Sequence, residues 1–99
     1  MTYRLLSVAE NELADTTLWY EKQSKGLGEN FLDEFEAVMI RISKFPEAWN
    51  PVGSRHRRCL FRRFPYAVLY SLNGIEIIVA GVIDLRKDPQ YIQHRRQET

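Results

Sequence analysis

The stretch that most constrains the fold runs from Phe61 to Ile83. It begins Phe61-Arg62-Arg63-Phe64-Pro65-Tyr66-Ala67-Val68-Leu69-Tyr70, reaches Asn73-Gly74, and returns as Ile75-Glu76-Ile77-Ile78-Val79-Ala80-Gly81-Val82-Ile83. Asn-Gly between two apolar runs predicts a β-hairpin with a type I′ turn, because that turn needs φ > 0 at both central residues. Alternation puts Tyr66, Val68, Tyr70 and Leu72 on one face of the first arm, and Ala67, Leu69 and Ser71 on the other. The second arm is apolar on both faces, which places it inside a sheet rather than at its edge. Pro65 has no N–H to give a ladder, so it is expected to open or interrupt its strand.

Ahead of this hairpin the period changes from two to three and four. Thr2 to Leu6 reads as a short strand, and Ser7-Val8-Ala9-Glu10 as a capping box opening a helix from Val8 to Ser24. Its inner face is Ala9, Leu13, Thr16 and Tyr20, with Trp19 beside it as packing rather than as a ligand platform. Lys25-Gly26-Leu27-Gly28 breaks that helix. A second helix is expected from Gly28 to Lys44, on the stripe Leu27, Phe31, Phe35, Val38 and Ile42, widened by Leu32 and Met39. Pro46 stops it, and residues 48–54 read as a loop. A strand follows from Arg57 to Phe64, with Cys59, Phe61 and Arg63 on one face. After the hairpin, Asp88-Pro89 starts a short helix ending near Arg95.

The expected fold is therefore α+β. An N-terminal strand is followed by an antiparallel helical hairpin on one face of a mostly antiparallel sheet of about four strands, with a short C-terminal helix (β-α-α-β-β-β-α). The other sheet face is left for a partner. Residues 1–99 make a single domain, since 44% hydrophobic residues suffice for one core. The lone cysteine, Cys59, allows no internal disulfide and no cysteine-based zinc site. No apolar segment reaches the length of a signal peptide or a membrane span, so a reducing, cytoplasmic setting is expected.

Charge is unevenly placed. Residues 1–50 hold five Lys/Arg against nine Asp/Glu, and residues 51–99 hold nine against four. The basic half contains Arg55, Arg57, Arg58, Arg62, Arg63, Arg86, Lys87, Arg95 and Arg96, a set suited to a polyanion or an acidic protein. No phosphate-binding glycine loop, nucleophile elbow or metal-ligand spacing is present, so neither metal nor cofactor is expected. Arginine binds phosphate and carboxylate bidentately and stabilises developing charge, but is a poor base. Any base would have to come from Glu76, Asp84, His56, His94 or Tyr91, and the residues alone assign none of them a catalytic role.

Several marks in order carry a resemblance. They are Ala9 with Leu13 ahead of Trp19-Tyr20-Glu21; Gly26-Leu27-Gly28 with Phe31; Pro46; Arg62-Arg63-Phe64-Pro65-Tyr66 with Tyr70; and Arg86-Lys87-Asp88-Pro89 with Tyr91 and Arg95. In these the chain resembles the RelE/ParE superfamily of type II toxin–antitoxin toxins, also called plasmid-stabilisation proteins, over nearly its whole length. The Arg-Phe-Pro-Tyr block and the Gly-Leu-Gly helix start look more like the ParE branch. That resemblance implies an inhibitor of DNA gyrase neutralised by a cognate antitoxin, with Arg58, Arg62, Arg63, Arg86 and Arg95 meeting acidic groups of antitoxin or target. The RelE branch instead implies a metal-free ribonuclease cutting messenger RNA on the ribosome, and Arg58, Arg63, Arg86 and Tyr91 imitate its catalytic set. A third reading is an inactive relative that binds an antitoxin. Asp84 stands where many relatives have histidine, which weakens a phosphate site and suggests pairing with Arg86 or with a neighbouring strand arginine.

Overall fold

A computed structural model describes residues 1–87. Over them the chain forms β1 (Thr2–Leu5), α1 (Ser7–Gln23), α2 (Leu27–Lys44), β2 (Asn50–Val52), β3 (His56–Leu60), β4 (Tyr66–Asn73), β5 (Glu76–Asp84) and one 3₁₀ turn, Leu85–Lys87. The sheet order is β1-β5-β4-β3-β2, with β1 parallel to β5 and the other neighbours antiparallel. This is the expected α+β architecture with one strand more. Asn50-Pro51-Val52, read as loop, pairs with β3 at the sheet edge, where a proline without an N–H is tolerated. The helix expected from Pro89 to Arg95 lies outside the described residues.

The predicted capping box does not form. The Leu6 N–H donates to the Val79 carbonyl at 2.9 Å, and the Glu10 N–H donates to the Leu6 carbonyl at 2.9 Å. Leu6 thus ends the parallel strand pairing and precedes the first turn, which puts Ser7 inside the helix. Ala9 and Tyr20 are buried as expected, and Leu13 and Thr16 are half-buried, but Trp19 is half exposed. On α2, Phe31, Phe35, Val38, Met39 and Ile42 face the core, whereas Leu32 lies on the outer surface.

The helices cross closely because position 28 lacks a side chain. A Cβ there would lie 2.8 Å from the Thr17 carbonyl oxygen and 3.0 Å from the Glu21 side chain. The Glu21 carboxylate accepts from the N–H groups of Gly26 and Gly28, at 3.1 and 3.0 Å, and so fastens the linker. Gly26 precedes α2 with φ of 88°, a conformation in which a Cβ is costly.

The sheet's core face is built on a bulge. Leu69 pairs with Gly81 but Tyr70 pairs with Val79, so Ala80 is extra. The extra residue shifts the alternation, and Val79 and Val82 both face the helices although three apart. β1 covers β5 only as far as Val79. Beyond it, α1 supplies the partner: the Val82 N–H donates to Glu12 Oε1 at 3.0 Å. The hairpin turn also differs from expectation. Asn73 pairs with Glu76, so the two loop residues are Gly74 and Ile75. Gly74 alone has positive φ, 61°, which is the type II′ pattern rather than I′. A one-residue slide of the turn costs nothing here, because glycine at the first loop position satisfies II′ and Asn73 can stay extended.

β3 ends at Leu60, earlier than predicted, so Arg63 does not share a sheet face with Cys59. Residues 61–65 form a reversal in which the Phe61 N–H donates to the Tyr66 carbonyl at 2.9 Å and the Tyr66 N–H to the Phe64 carbonyl at 2.8 Å. An aromatic cluster holds this reversal against the helices. Phe31 is fully buried, stacked on Tyr20 at 5.4 Å and on Phe61 at 4.9 Å, and edge-on to Phe64 and Tyr66. Burying such a ring stabilises by about 2–3 kcal/mol. At the other end of β4, the buried Tyr70 donates its hydroxyl to the Pro46 carbonyl at 2.6 Å, and burial pushes its pKa up to about 12.

Replacing Gly28 by alanine tests the helix crossing. Ala is the better helix former by up to about 1 kcal/mol, but the Cβ meets backbone that cannot rotate away. We expect a net loss of roughly 1–2 kcal/mol, read as a lower urea midpoint; a raised midpoint would contradict the close crossing.

Candidate functional site

Of the residues expected to form one cationic surface, Arg58 and Arg86 border one continuous cleft, whereas Arg62 and Arg63 stand on a separate loop. Arg58 lies in β3 opposite Leu69, on the sheet face turned away from the helices. It lines a cleft of about 610 Å³ with Val52, Leu69 and Ile83 of the sheet and Glu12 and Asp15 of α1, and the cleft continues past Tyr66, Asp84 and Lys87 to Arg86. Arg62 and Arg63 sit in the reversal after β3, both exposed. Arg86 lies in the 3₁₀ turn at the end of β5. Arg95 and Tyr91 lie outside the described residues.

The Arg62–Arg63 loop is fixed through its backbone. The N–H groups of both residues donate to Glu34 Oε1 on α2, at 2.9 and 3.1 Å. Together with the Phe31 cluster, this holds the loop from two sides. Neither guanidinium has a hydrogen bond or an ion pair with another described residue. Arg63 borders a pocket of about 410 Å³ with Asn30, Asp33, Glu34 and Phe64.

Arg86 is in a different state. Its Nε donates to Asp84 Oδ1 and its Nη2 to Asp84 Oδ2, both at 3.0 Å, and its backbone N–H donates to Oδ1 at 3.0 Å. The guanidinium also lies 5.8 Å from the centre of the Tyr66 ring, with Nη2 3.4 Å from the phenol oxygen. Tyr66 in turn donates to Asp84 Oδ2 at 3.4 Å. Sequence reasoning proposed Arg86 and suspected the pairing with Asp84, but it missed Tyr66. The signal lay in the hairpin register, which sets Tyr66 directly opposite Asp84.

The electrostatics follow from these contacts. Burial pushes the Asp84 carboxyl up, but hydrogen bonds from the Arg86 side chain and backbone, with the charges of Arg86 and Lys87, hold it below the ordinary carboxylate value. Asp84 makes the Arg86 guanidinium hold its proton more firmly. Burial, then the charge of Asp84, pushes the Tyr66 phenol up. At neutral pH the group is thus a carboxylate, a guanidinium and a neutral phenol, none of them poised to exchange a proton. Around it, Trp19, Asp15, Thr16 and Lys87 complete a cleft of about 410 Å³.

The other candidates for a chemical role stand apart. Glu76, considered as a base, accepts from Arg4 Nε at 3.1 Å across β1 and β5. His56 lies at the start of β3, on the β2 side of the sheet. Cys59 is buried, and burial pushes its thiol pKa up, so it is not an activated nucleophile. Among the described residues, no three His, Cys, Asp or Glu side chains gather as metal ligands would. No described helix is long and apolar enough to cross a membrane.

No family model and no curated protein match the sequence. Among solved structures, a chain of the "Chromosomal ParDE TA system from P. aeruginosa" matches with a TM-score of 0.61 at 14% identity, over 85% of this chain and 95% of that one. At that identity the likeness is one of fold.

Removing the Asp84 charge tests the clamp. Asp84→Asn should destabilise at neutral pH by about 1 kcal/mol, since Arg86 is half exposed and solvent screens the pair. Because folding lowers the Asp84 pKa, the contribution is present above the unfolded carboxylate value and fades as pH falls through the folded one. The gap between variant and parent should therefore close in acid; a gap that is unchanged from neutral to strongly acidic pH would contradict the clamp.

Proposed function

We propose that the chain is the toxin of a toxin–antitoxin module, of the ParE-like kind, which binds and inhibits DNA gyrase and is neutralised by a cognate antitoxin. The observation that carries this reading is the match in fold to a chain of a ParDE system. The family marks in the sequence agree with it. So does the character of the site, whose described groups are suited to binding charge rather than to moving protons. Gyrase or antitoxin would be engaged through Arg62 and Arg63, two cations whose guanidinium groups have no partner among the described residues, on a loop held in place. Arg86 contributes shape more than charge, because Asp84 already occupies it.

The antitoxin also has an apolar surface to cover. Leu13, Ala14, Leu18 and Leu32 line a groove of about 510 Å³ between the outer faces of α1 and α2, rimmed by Glu10, Glu21 and Glu29. An amphipathic segment with basic flanks fits that description, and such segments commonly order only on binding. The RelE-like reading draws on the cleft of Trp19, Tyr66 and Arg86, where a base could stack beside a cation. The carboxylate of Asp84 in its centre disfavours a phosphate there.

Purified gyrase decides between them. Supercoiling should fall as the chain is added, and Arg62→Ala with Arg63→Ala should weaken inhibition by about tenfold, or ~1.4 kcal/mol. Full supercoiling at large excess of chain would contradict the gyrase reading. Codon-positioned cleavage of a translated message would favour the ribonuclease, and neither effect would favour an inactive antitoxin-binding relative.

A further inference from the structure

The basic run Arg55-His56-Arg57 plays no part in the reading above. In the structure it surrounds a pocket of about 550 Å³ where β2 turns into β3, remote in the sheet from the β5 end that carries Arg86. The hydroxyl-bearing Ser54 and Ser71 line the same pocket, and Glu47 is the one acid there among the described residues. We propose that this pocket binds a phosphate of a nucleic-acid backbone.

Three features support a phosphodiester. Arg57 is already oriented, since its Nη1 donates to the Trp49 carbonyl at 2.9 Å. A guanidinium held this way loses less freedom when it takes an anion. The lining is also rich in donors: two guanidinium groups, two hydroxyls and an imidazole that offers a ring N–H in either protonation state. The two non-bridging oxygens of a phosphodiester accept from donors both in and out of their plane, whereas the lone pairs of a carboxylate lie in its plane. Finally, among the described residues the pocket offers no open phenyl, phenol or indole face. Tyr70 is fully buried and its hydroxyl is taken by Pro46. Stacking on the His56 imidazole or an arginine plane tolerates any base, so the contact is to backbone and largely independent of sequence.

The proposal does not rest on the toxin reading and survives its failure. Its test is fluorescence anisotropy of the full chain with a labelled oligodeoxythymidylate, titrated across a range of salt. We expect binding at low salt. Arg55→Ala with Arg57→Ala should lower affinity about tenfold or more and flatten the log–log salt slope by roughly 1.4, two single-strand phosphate contacts. Arg57→Ala removes an internal bond, so Arg55→Ala alone serves as the second variant; Arg55 is exposed, and its loss should flatten the slope by roughly 0.7 with the unfolding midpoint unchanged. Arg62→Ala with Arg63→Ala should leave affinity within twofold or so. The proposal is overturned by no binding at low salt, by an affinity indifferent to Arg55, by a larger loss from the Arg62 and Arg63 pair, or by poly-glutamate competing as well as the oligonucleotide.

Discussion

Phe31 is the contact on which the rest of the arrangement depends. Its ring is stacked between Tyr20 of α1 and Phe61 at the start of the reversal after β3, with Phe64 and Tyr66 edge-on around it. One side chain of α2 thus joins the two helices, the reversal after β3 and the start of β4. The reversal carries Arg62 and Arg63 outward because Phe61 and Phe64 point inward. Tyr66 starts β4 with its ring in the same cluster and its hydroxyl directed at Asp84. Packing, which has no direction of its own, here fixes the direction of charged groups some residues away.

Charge is then sorted by which acid each cation meets. Asp84, two residues before Arg86, closes a bidentate pair that leaves little of either charge to a partner. Glu34 meets the same loop as Arg62 and Arg63 but takes their backbone N–H groups, leaving both guanidinium groups outward. A carboxylate that binds amides stiffens a cationic loop; a carboxylate that binds the side chain neutralises it. The chain uses both within one molecule, and the difference decides which arginines the proposed function can rest on.

Much of this was legible in the sequence. On α2, Phe31, Phe35, Val38, Met39 and Ile42 were read correctly because a buried helix face follows the 3.6-residue period, whereas Leu32, expected to widen that face, lies on the outer surface. The inner position of β5 followed from its apolar character on both faces. What failed was register. An Asn73-Gly74 loop would set Tyr66 opposite Gly81, whereas the observed turn and the extra Ala80 set it opposite Asp84. Turn type and bulge are each a matter of one residue, and a propensity reading does not resolve one residue. That slip concealed the contact among Tyr66, Asp84 and Arg86. The strand at Asn50-Pro51-Val52 was hidden for another reason, since proline argues against strand everywhere except at an edge. The Ser7 capping box was hidden by a tertiary contact: the bond from Leu6 to Val79 decides where α1 begins.

The central claim is that a cationic loop, held from beneath by Phe31 and from the side by Glu34, forms the proposed surface for an acidic partner. The direct measurement is gyrase binding and inhibition by Glu34→Ala, with thermal unfolding followed in parallel. Arg62 and Arg63 are exposed, so water can satisfy their freed N–H groups and the unfolding midpoint should move little. The account predicts weaker binding and weaker inhibition, because the two guanidinium groups lose their shared anchor. Binding and inhibition equal to those of the parent chain would contradict it.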